Sequence, residues 1–177
     1  MNFKDLLIKK SYINQGTDNF VDCLLNPALK LAKTYRRSVG FFSSSVFKLI
    51  INSLPSFIRN GGRINLIIST TLTEDDIAAI ELGYLINRRF FEDFNSEIKS
   101  FDDASLEVLS ELVARGILDI KVASVKNDIG IYHDKLGIMI DKDDNKIVFY
   151  GSPNSSMNAY QNNYEKVRVV RSWIVGE

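Results

Sequence analysis

The chain contains one histidine, His133, which precedes Lys135 by two residues, and the segment Gly151-Ser152-Pro153-Asn154 follows at hairpin distance. A neutral imidazole can attack phosphorus and form a phosphohistidine intermediate. The Lys135 ammonium can bind non-bridging phosphate oxygens, while Ser152 and Asn154 add neutral donors that stabilise developing charge. These residue types predict attack on a phosphodiester without a metal ion.

A β-hairpin is expected to bring the two segments together. Residues two apart in a strand point to the same face, so His133 and Lys135 point together and Asp134 points away. The polar stretch Asp141–Lys146 has the composition of a turn, and the apolar run Ile147–Tyr150 returns from it. The pattern therefore predicts two antiparallel strands joined by this turn.

The register of that hairpin determines whether a site forms. A loop with an even number of residues, centred just after Asp143, would place His133 opposite Asn154 and Lys135 opposite Ser152. All four side chains would then share one face. A slip of one residue would send Ser152 and Asn154 to the other face.

A second proton donor is needed for this chemistry. The leaving oxygen must be protonated, and a second imidazole is the usual side chain that titrates near neutrality. The chain has only His133. The single histidine therefore bears directly on how the protein assembles.

Composition predicts one globular domain over residues 1–177. The chain is 45% apolar and its 22 basic residues balance 22 acidic residues, so attraction to phosphate must be local. The single cysteine, Cys23, excludes an internal disulfide and fits a reducing compartment. No signal-peptide core or membrane-length apolar run is present, so we expect a soluble, cytoplasmic protein without a membrane partner.

Helical and strand patterns alternate along most of the chain. We predict helices over 18–35, after Ser43–Ser45, from Thr73 to about Leu85, and from Asp103 to Gly116, and strands over 37–42, 64–68, 118–125 and 167–173. The segment 87–103 favours no element. The alternation predicts an α/β fold with a mixed, largely parallel sheet sandwiched by helices.

The His133-x-Lys135 and Gly151-Ser152-x-Asn154 pair resembles the motif of the phospholipase D superfamily. Members of that superfamily place two such motifs around one site, either duplicated in one chain or supplied by two subunits. The resemblance implies a homodimer in which one His133 is the nucleophile and the partner subunit's His133 is the general acid. An isologous dimer is the commonest way to supply the second copy.

Further segments resemble a narrower branch, found as an N-terminal domain of bacterial helicase-like and restriction-type proteins. They are Ser38–Ser45, Gly61–Ile64, Leu66–Ser69, Gly137-Ile138, Asn163–Glu165 and Arg171–Trp173. This resemblance implies a nucleic-acid substrate, DNA above all. It also implies that the chain is the N-terminal module of a longer protein with a covalently linked helicase or effector domain.

The resemblance also assigns site residues. Glu165 matches a later acidic position and is expected to orient an imidazole. The implied catalytic set is His133, Lys135, Asn154 and Glu165, and the implied phosphate-binding set is Lys135, Ser152 and Asn154. The superfamily usually has an aspartate seven residues after the histidine, where this chain has Ile140 and then Asp141. We expect this shift to alter the hairpin geometry more than the chemistry.

Other polar residues favour structural roles. The serines at 43–45 are expected to cap a helix, and Arg36 and Arg37 to be solvated charges. One histidine and one cysteine cannot form a zinc cluster within a subunit, so we predict neither metal nor cofactor.

The sequence predicts a metal-independent phosphodiesterase, in particular a DNA nuclease domain. One alternative is a catalytically inactive DNA-binding or dimerisation module of a helicase- or restriction-type protein. A phospholipase or phosphatidyl transferase is a weaker alternative, because the chain has no amphipathic membrane-docking helix. Strand preference, sequence specificity, and endonuclease or exonuclease action are open.

Overall fold

The computed structural model describes residues 1–14, 19–89, 103–126 and 130–177. Its strands are β1 (Ser11–Ile13), β2 (Ala32–Val39), β3 (Arg63–Ile68), β4 (Leu118–Val122), β5 (Lys135–Asp141), β6 (Lys146–Gly151) and β7 (Lys166–Arg171). Its α-helices are α1 (Asn26–Leu31), α2 (Phe47–Ile50), α3 (Leu54–Arg59), α4 (Glu74–Arg89), α5 (Ala104–Ala114) and α6 (Met157–Gln161). A π-helical segment over Val21–Leu25 leads directly into α1.

The strands form one seven-stranded sheet in the order β1-β7-β6-β5-β2-β3-β4. The pairs β2–β3 and β3–β4 are parallel, and the four other neighbouring pairs are antiparallel. The predicted α/β class with a mixed sheet is confirmed, but antiparallel pairs outnumber parallel ones. One reason is the loop between β5 and β6, which is too short for the crossover that parallel neighbours require.

The central strand begins earlier than its sequence pattern suggests. The predicted helix over 18–35 is wrong at its end, because helical structure stops at Leu31 and β2 starts at Ala32. The predicted strand over 37–42 correspondingly ends at Val39. Strand β2 pairs with both β3 and β5. Tertiary pairing of this kind overrides weak local propensity.

The sheet has one covered face, which we call the core face. Buried side chains on it include Tyr35, Arg37, Val39, Met139, Phe149 and Val169. Side chains of the opposite parity, such as Arg36, Ser38, Ile138 and Val148, are half-buried or exposed. The hydrophobic core of the described residues therefore lies against this face of the sheet.

The hairpin between β5 and β6 has a different register from the predicted one. The pairs run from Ile140–Lys146 to Leu136–Tyr150, so the loop is centred on Asp143 and contains an odd number of residues. Asp144 adopts a left-handed φ of 60°, which closes this loop. The ladder therefore brings Lys135 level with Gly151, and the predicted pairing of Lys135 with Ser152 is wrong by one residue.

Asp141 organises the turn. Its buried carboxylate accepts hydrogen bonds from the backbone N–H groups of Phe3 (2.8 Å), Asp143 (2.9 Å) and Asn145 (3.0 Å), and from the Asn145 side-chain amide (2.9 Å). Burial acts to raise the pKa of Asp141, but these hydrogen bonds outweigh it and hold the pKa below its usual value. The aspartate therefore has a structural role, one position after the superfamily's usual place.

Substituting Asn for Asp141 is expected to destabilise the fold by about 2–4 kcal/mol near neutral pH, because an amide presents a donor where four donors converge. The depressed pKa means that the carboxylate stabilises the fold above the unfolded-state pKa of about 3.9, and that this stabilisation is lost as pH falls below it. The difference between native and variant chains should therefore shrink towards pH 3. Urea unfolding at both pH values measures it.

Asp143→Asn is the matched control for this prediction. The Asp143 carboxylate is exposed and accepts one hydrogen bond, from the Asn2 side chain at 2.9 Å. We expect this variant to change stability by less than about 0.5 kcal/mol at either pH. Equal effects of the two substitutions would contradict the role given to Asp141.

Candidate active site

The predicted site residues lie at one end of the sheet. Strand β5 runs antiparallel to β2, so its first residue, Lys135, pairs with the last residue of β2, Val39. His133 lies two residues before β5, Glu165 one residue before β7, and Asn154 three residues after β6. The carboxyl ends of β2 and β6 and the amino ends of β5 and β7 therefore meet here.

His133 packs against the backbone of Gly40. The Gly40 N–H donates to the Asp134 carbonyl at 2.9 Å. A Cβ added at Gly40 would lie 2.9 Å from the Tyr132 carbonyl oxygen and 3.1 Å from His133 Nδ1. The Nδ1 atom of the exposed imidazole therefore lies beside Gly40.

Asp134 links the start of β5 to the end of β2. Its carboxylate accepts a hydrogen bond from the Ser38 hydroxyl at 2.7 Å and from the Lys135 backbone N–H at 2.9 Å. The Ser38 and Tyr132 hydroxyls also form a short hydrogen bond. Ser38 thus holds the segment on both sides of His133.

The half-buried Lys135 side chain turns back towards His133, and its Nζ donates to the His133 carbonyl at 3.4 Å. Burial is the main reason that the pKa of Lys135 lies below its usual value, and the Arg37 guanidinium adds to the lowering. The Glu165 and Asp134 carboxylates act in the opposite sense. Lys135 therefore sits among two acids and one further cation.

Asn154 reaches the site on a loop. Its side-chain oxygen accepts a hydrogen bond from the Phe41 backbone N–H at 3.2 Å. Beside it, Phe42 and Ser155 form an isolated parallel β-bridge. The chain after β6 therefore turns across the end of β2, and Asn154 meets the Gly40–Phe41 segment although the predicted strand register is wrong.

Ser152 extends the pairing of β6 with β7. Its backbone N–H donates to the Lys166 carbonyl at 3.2 Å, and its hydroxyl oxygen accepts from the Lys166 N–H at 3.1 Å. The hydroxyl retains its own proton for donation to a ligand. Ser152 is exposed at this end of the sheet, so its predicted phosphate contact stays a prediction.

Glu165 is half-buried and lies just before β7. Its carboxylate accepts a hydrogen bond from the Asn163 side chain at 3.4 Å, and its charge acts on Lys135. Contact of Glu165 with an imidazole stays a prediction. Within one subunit the Glu165 carboxylate favours the protonated form of Lys135.

Two residues at this end were missed or misjudged from sequence. Arg36 is exposed as expected, but Arg37 is only 3% exposed and lies under the loop that carries Asn154. Gly40 was recognised only as part of a family-like segment. The alternation of side chains along β2 is the signal that predicts burial of Arg37, because Arg37 shares the core face with Tyr35 and Val39.

The described ranges show neither a metal-type cluster nor a spanning helix. In them no three or more histidine, cysteine, aspartate or glutamate side chains group closely enough to hold a metal ion. Their helices are also too short or too polar to cross a membrane.

Comparisons with solved structures give relatives of low identity. Phosphatidylserine synthase from Haemophilus influenzae Rd KW20 matches with a TM-score of 0.53 and 13% identity, covering 92% of this chain and 34% of that chain. Nuc, a phospholipase D family member from Salmonella typhimurium, matches with a TM-score of 0.47 and 15% identity over 90% of this chain and 80% of that chain. Yeast tyrosyl-DNA phosphodiesterase matches with a TM-score of 0.49 and 13% identity over 90% of this chain, which spans 31% of that protein.

Sequence comparison identifies the family. No curated protein matches the chain. The family model described as "Cardiolipin synthase, PLD-like domain" matches residues 26–176, which include the whole candidate site. At the level of fold, the likeness to phosphatidylserine synthase agrees with this match. The chain therefore belongs to the phospholipase D-like domain family.

Proposed function

We propose that this chain is a metal-independent phosphodiesterase that cleaves DNA as a homodimer. The observation that carries the proposal is the convergence of His133 and Asn154 on the Gly40–Phe41 segment, with Lys135 beside them. A nucleophile, a cation and a neutral donor at one end of a rigid sheet are the groups that a phosphoryl transfer needs.

The proposed reaction has two steps. His133 Nε2 attacks phosphorus, the bond from phosphorus to the leaving oxygen breaks, and the partner subunit's His133 protonates that oxygen. The same partner imidazole then takes a proton from water, whose oxygen attacks phosphorus while the P–N bond breaks. Lys135 and Asn154 bind the non-bridging oxygens in both steps.

A polyanionic substrate suits a second feature of the molecule. A cavity of about 320 Å³ is lined by Lys30, Lys33, Arg59 and Lys142, with no acidic residue among its lining groups. The cavity lies near the start of β2 and the end of β5. His133 lies near the end of β2 and the start of β5, at the opposite edge of the sheet. The separation is roughly 20–25 Å at 3.3 Å per residue. A nucleic-acid strand can contact both regions, and a single lipid headgroup cannot.

Cleavage in the presence of a chelator tests the activity. The native chain should cut labelled single- or double-stranded DNA in EDTA, and rapid quenching should trap a labelled covalent adduct that is labile to acid and stable to alkali, as a phosphohistidine is. Phosphatidylglycerol and phosphatidylcholine vesicles serve as the comparison substrate. Binding of DNA without cleavage would instead support an inactive binding module, and headgroup release from vesicles would support a lipid phosphodiesterase.

We further propose that the chain serves as the N-terminal module of a helicase- or restriction-type protein. The similarity of Ser38–Ser45 and Asn163–Glu165 to that branch supports this assignment. An attached motor would supply the long-range attraction to DNA that a chain of zero net charge lacks.

A further inference from the structure

Arg37 holds a position behind the proposed phosphate site that no sequence motif assigns to it. We propose that Arg37 is a positioning residue, which fixes the loop carrying Asn154 and keeps a second positive charge behind Lys135. This inference rests on the proposed function and adds one residue to that site.

The first observation is the set of contacts that Arg37 makes with the loop. Its Nε donates to the Ser155 hydroxyl at 3.1 Å, and its Nη2 donates to the Pro153 carbonyl at 2.7 Å. Nη2 also lies 3.3 Å from the Tyr160 hydroxyl oxygen. Pro153 and Ser155 flank Asn154, so a single guanidinium holds the residues on both sides of the asparagine.

The second observation is that no carboxylate among the described residues pairs with this buried charge. Every hydrogen-bond acceptor of Arg37 in the described residues is neutral, and Nη1 makes no hydrogen bond there. The remaining contact is with the Phe149 ring, whose centroid lies 5.3 Å from the guanidinium carbon. Burying a cation without a counter-ion is costly. A phosphate bound at the site would offset that cost.

The third observation concerns the space around the guanidinium. Arg37 pairs with Gly137 on β5. A Cβ added at Gly137 would lie 2.1 Å from the Phe149 ring, so the absence of a side chain lets this ring lie over the strand. The ring in turn supports the guanidinium on the core face. Glycine at 137 therefore contributes to the placement of Arg37.

The charge of Arg37 also acts on Lys135. Among the described residues, three charged groups affect the Lys135 ammonium: Arg37 disfavours its protonated form, and Glu165 and Asp134 favour it. Burial lowers the pKa of Lys135 most, and Arg37 contributes the next largest lowering. Removing the Arg37 charge should therefore raise the pKa of Lys135, and a substitution that keeps the charge should not.

Arg37→Gln and Arg37→Lys separate the two roles. Gln removes the charge, whereas Lys keeps the charge and loses the two-directional hydrogen bonding to Pro153 and Ser155. NMR titration of the Lys135 side chain should show a higher midpoint in R37Q and little change in R37K. Both variants should lower kcat/KM for DNA on the order of 100-fold, since displacement of a substrate-binding group by about 1 Å has effects of that size.

Ser155→Ala completes the test. It removes the Nε acceptor and keeps the charge, so turnover should fall several-fold while the Lys135 midpoint stays at its native value. An unchanged Lys135 midpoint in a folded R37Q variant overturns the charge role, and native turnover in S155A overturns the loop role. If R37Q does not fold, turnover of S155A still tests whether Arg37 fixes the loop. Turnover of R37K then tests whether the hydrogen bonds from the guanidinium are needed.

The titration does not depend on catalysis. A native chain without phosphodiesterase activity would contradict the proposed function, yet the Lys135 midpoint would still report on Arg37. An active native chain whose variants show no shift and no loss of turnover would contradict only the inference about Arg37.

Discussion

Replacing His133 by alanine is expected to lower DNA cleavage about 1000-fold or more, because the imidazole is the proposed nucleophile and its loss removes the covalent route. Folding should be unaffected, since the side chain is exposed. Single-turnover assays in EDTA measure the loss, and thermal unfolding measures the stability. The covalent adduct should disappear in the same variant.

Lys121→Ala is a suitable control for His133→Ala. Lys121 is an exposed residue of β4, on the far side of β3 from the site. We expect native turnover from it. Cleavage by His133→Ala at the native rate would exclude the histidine mechanism and leave the binding-module alternative.

Mixing native and His133→Ala chains tests whether the two imidazoles share a site. If each site needs a histidine from both subunits, activity should fall as the square of the native fraction once subunits have exchanged. Independent sites would give a linear decrease. Light scattering shows whether the chain is a dimer in the conditions of the assay.

Gly40→Ala should reduce cleavage on the order of 100-fold. A methyl group there would lie 2.9 Å from the Tyr132 carbonyl oxygen and 3.1 Å from His133 Nδ1, so the imidazole or its backbone must move. A displacement of about 1 Å at a nucleophile has effects of this size. The loss should be in kcat more than in KM, because Lys135 and Asn154 still bind phosphate.

Gly61→Ala is the matched comparison for Gly40→Ala. Gly61 has a φ of 73°, and beyond its chain neighbours no atom of the described residues lies within 4 Å of an added Cβ. The substitution should cost about 1 kcal/mol of stability through backbone strain and leave turnover of the folded protein unchanged. If Gly40→Ala instead lowers stability and keeps full turnover, Gly40 has no role in placing His133.

The residue types at the site could be inferred from sequence because they are local. The spacing of His133 and Lys135 is a property of one strand, and the alternation of a strand is independent of its partners. The Asp141 turn could likewise be recognised from composition. The α/β class followed from alternating patterns that each element carries by itself.

Long-range pairing could not be inferred in the same way. The register of β5 with β6 depends on how the turn closes, and the left-handed Asp144 shifted it by one residue. The start of β2 at Ala32 depends on its neighbours β3 and β5. Strand propensity in residues 32–35 is too weak to reveal either neighbour.

The sequence by itself determined the chemistry available to this protein: one imidazole, one nearby ammonium group and an asparagine after a glycine-serine turn. The tertiary structure alone decided that Asn154 meets the end of β2 on a loop, and that Arg37 is buried beneath that loop. The physical reason is that residue types and alternation are encoded locally. The packing of a loop against a distant strand depends on contacts between residues more than a hundred positions apart in the chain.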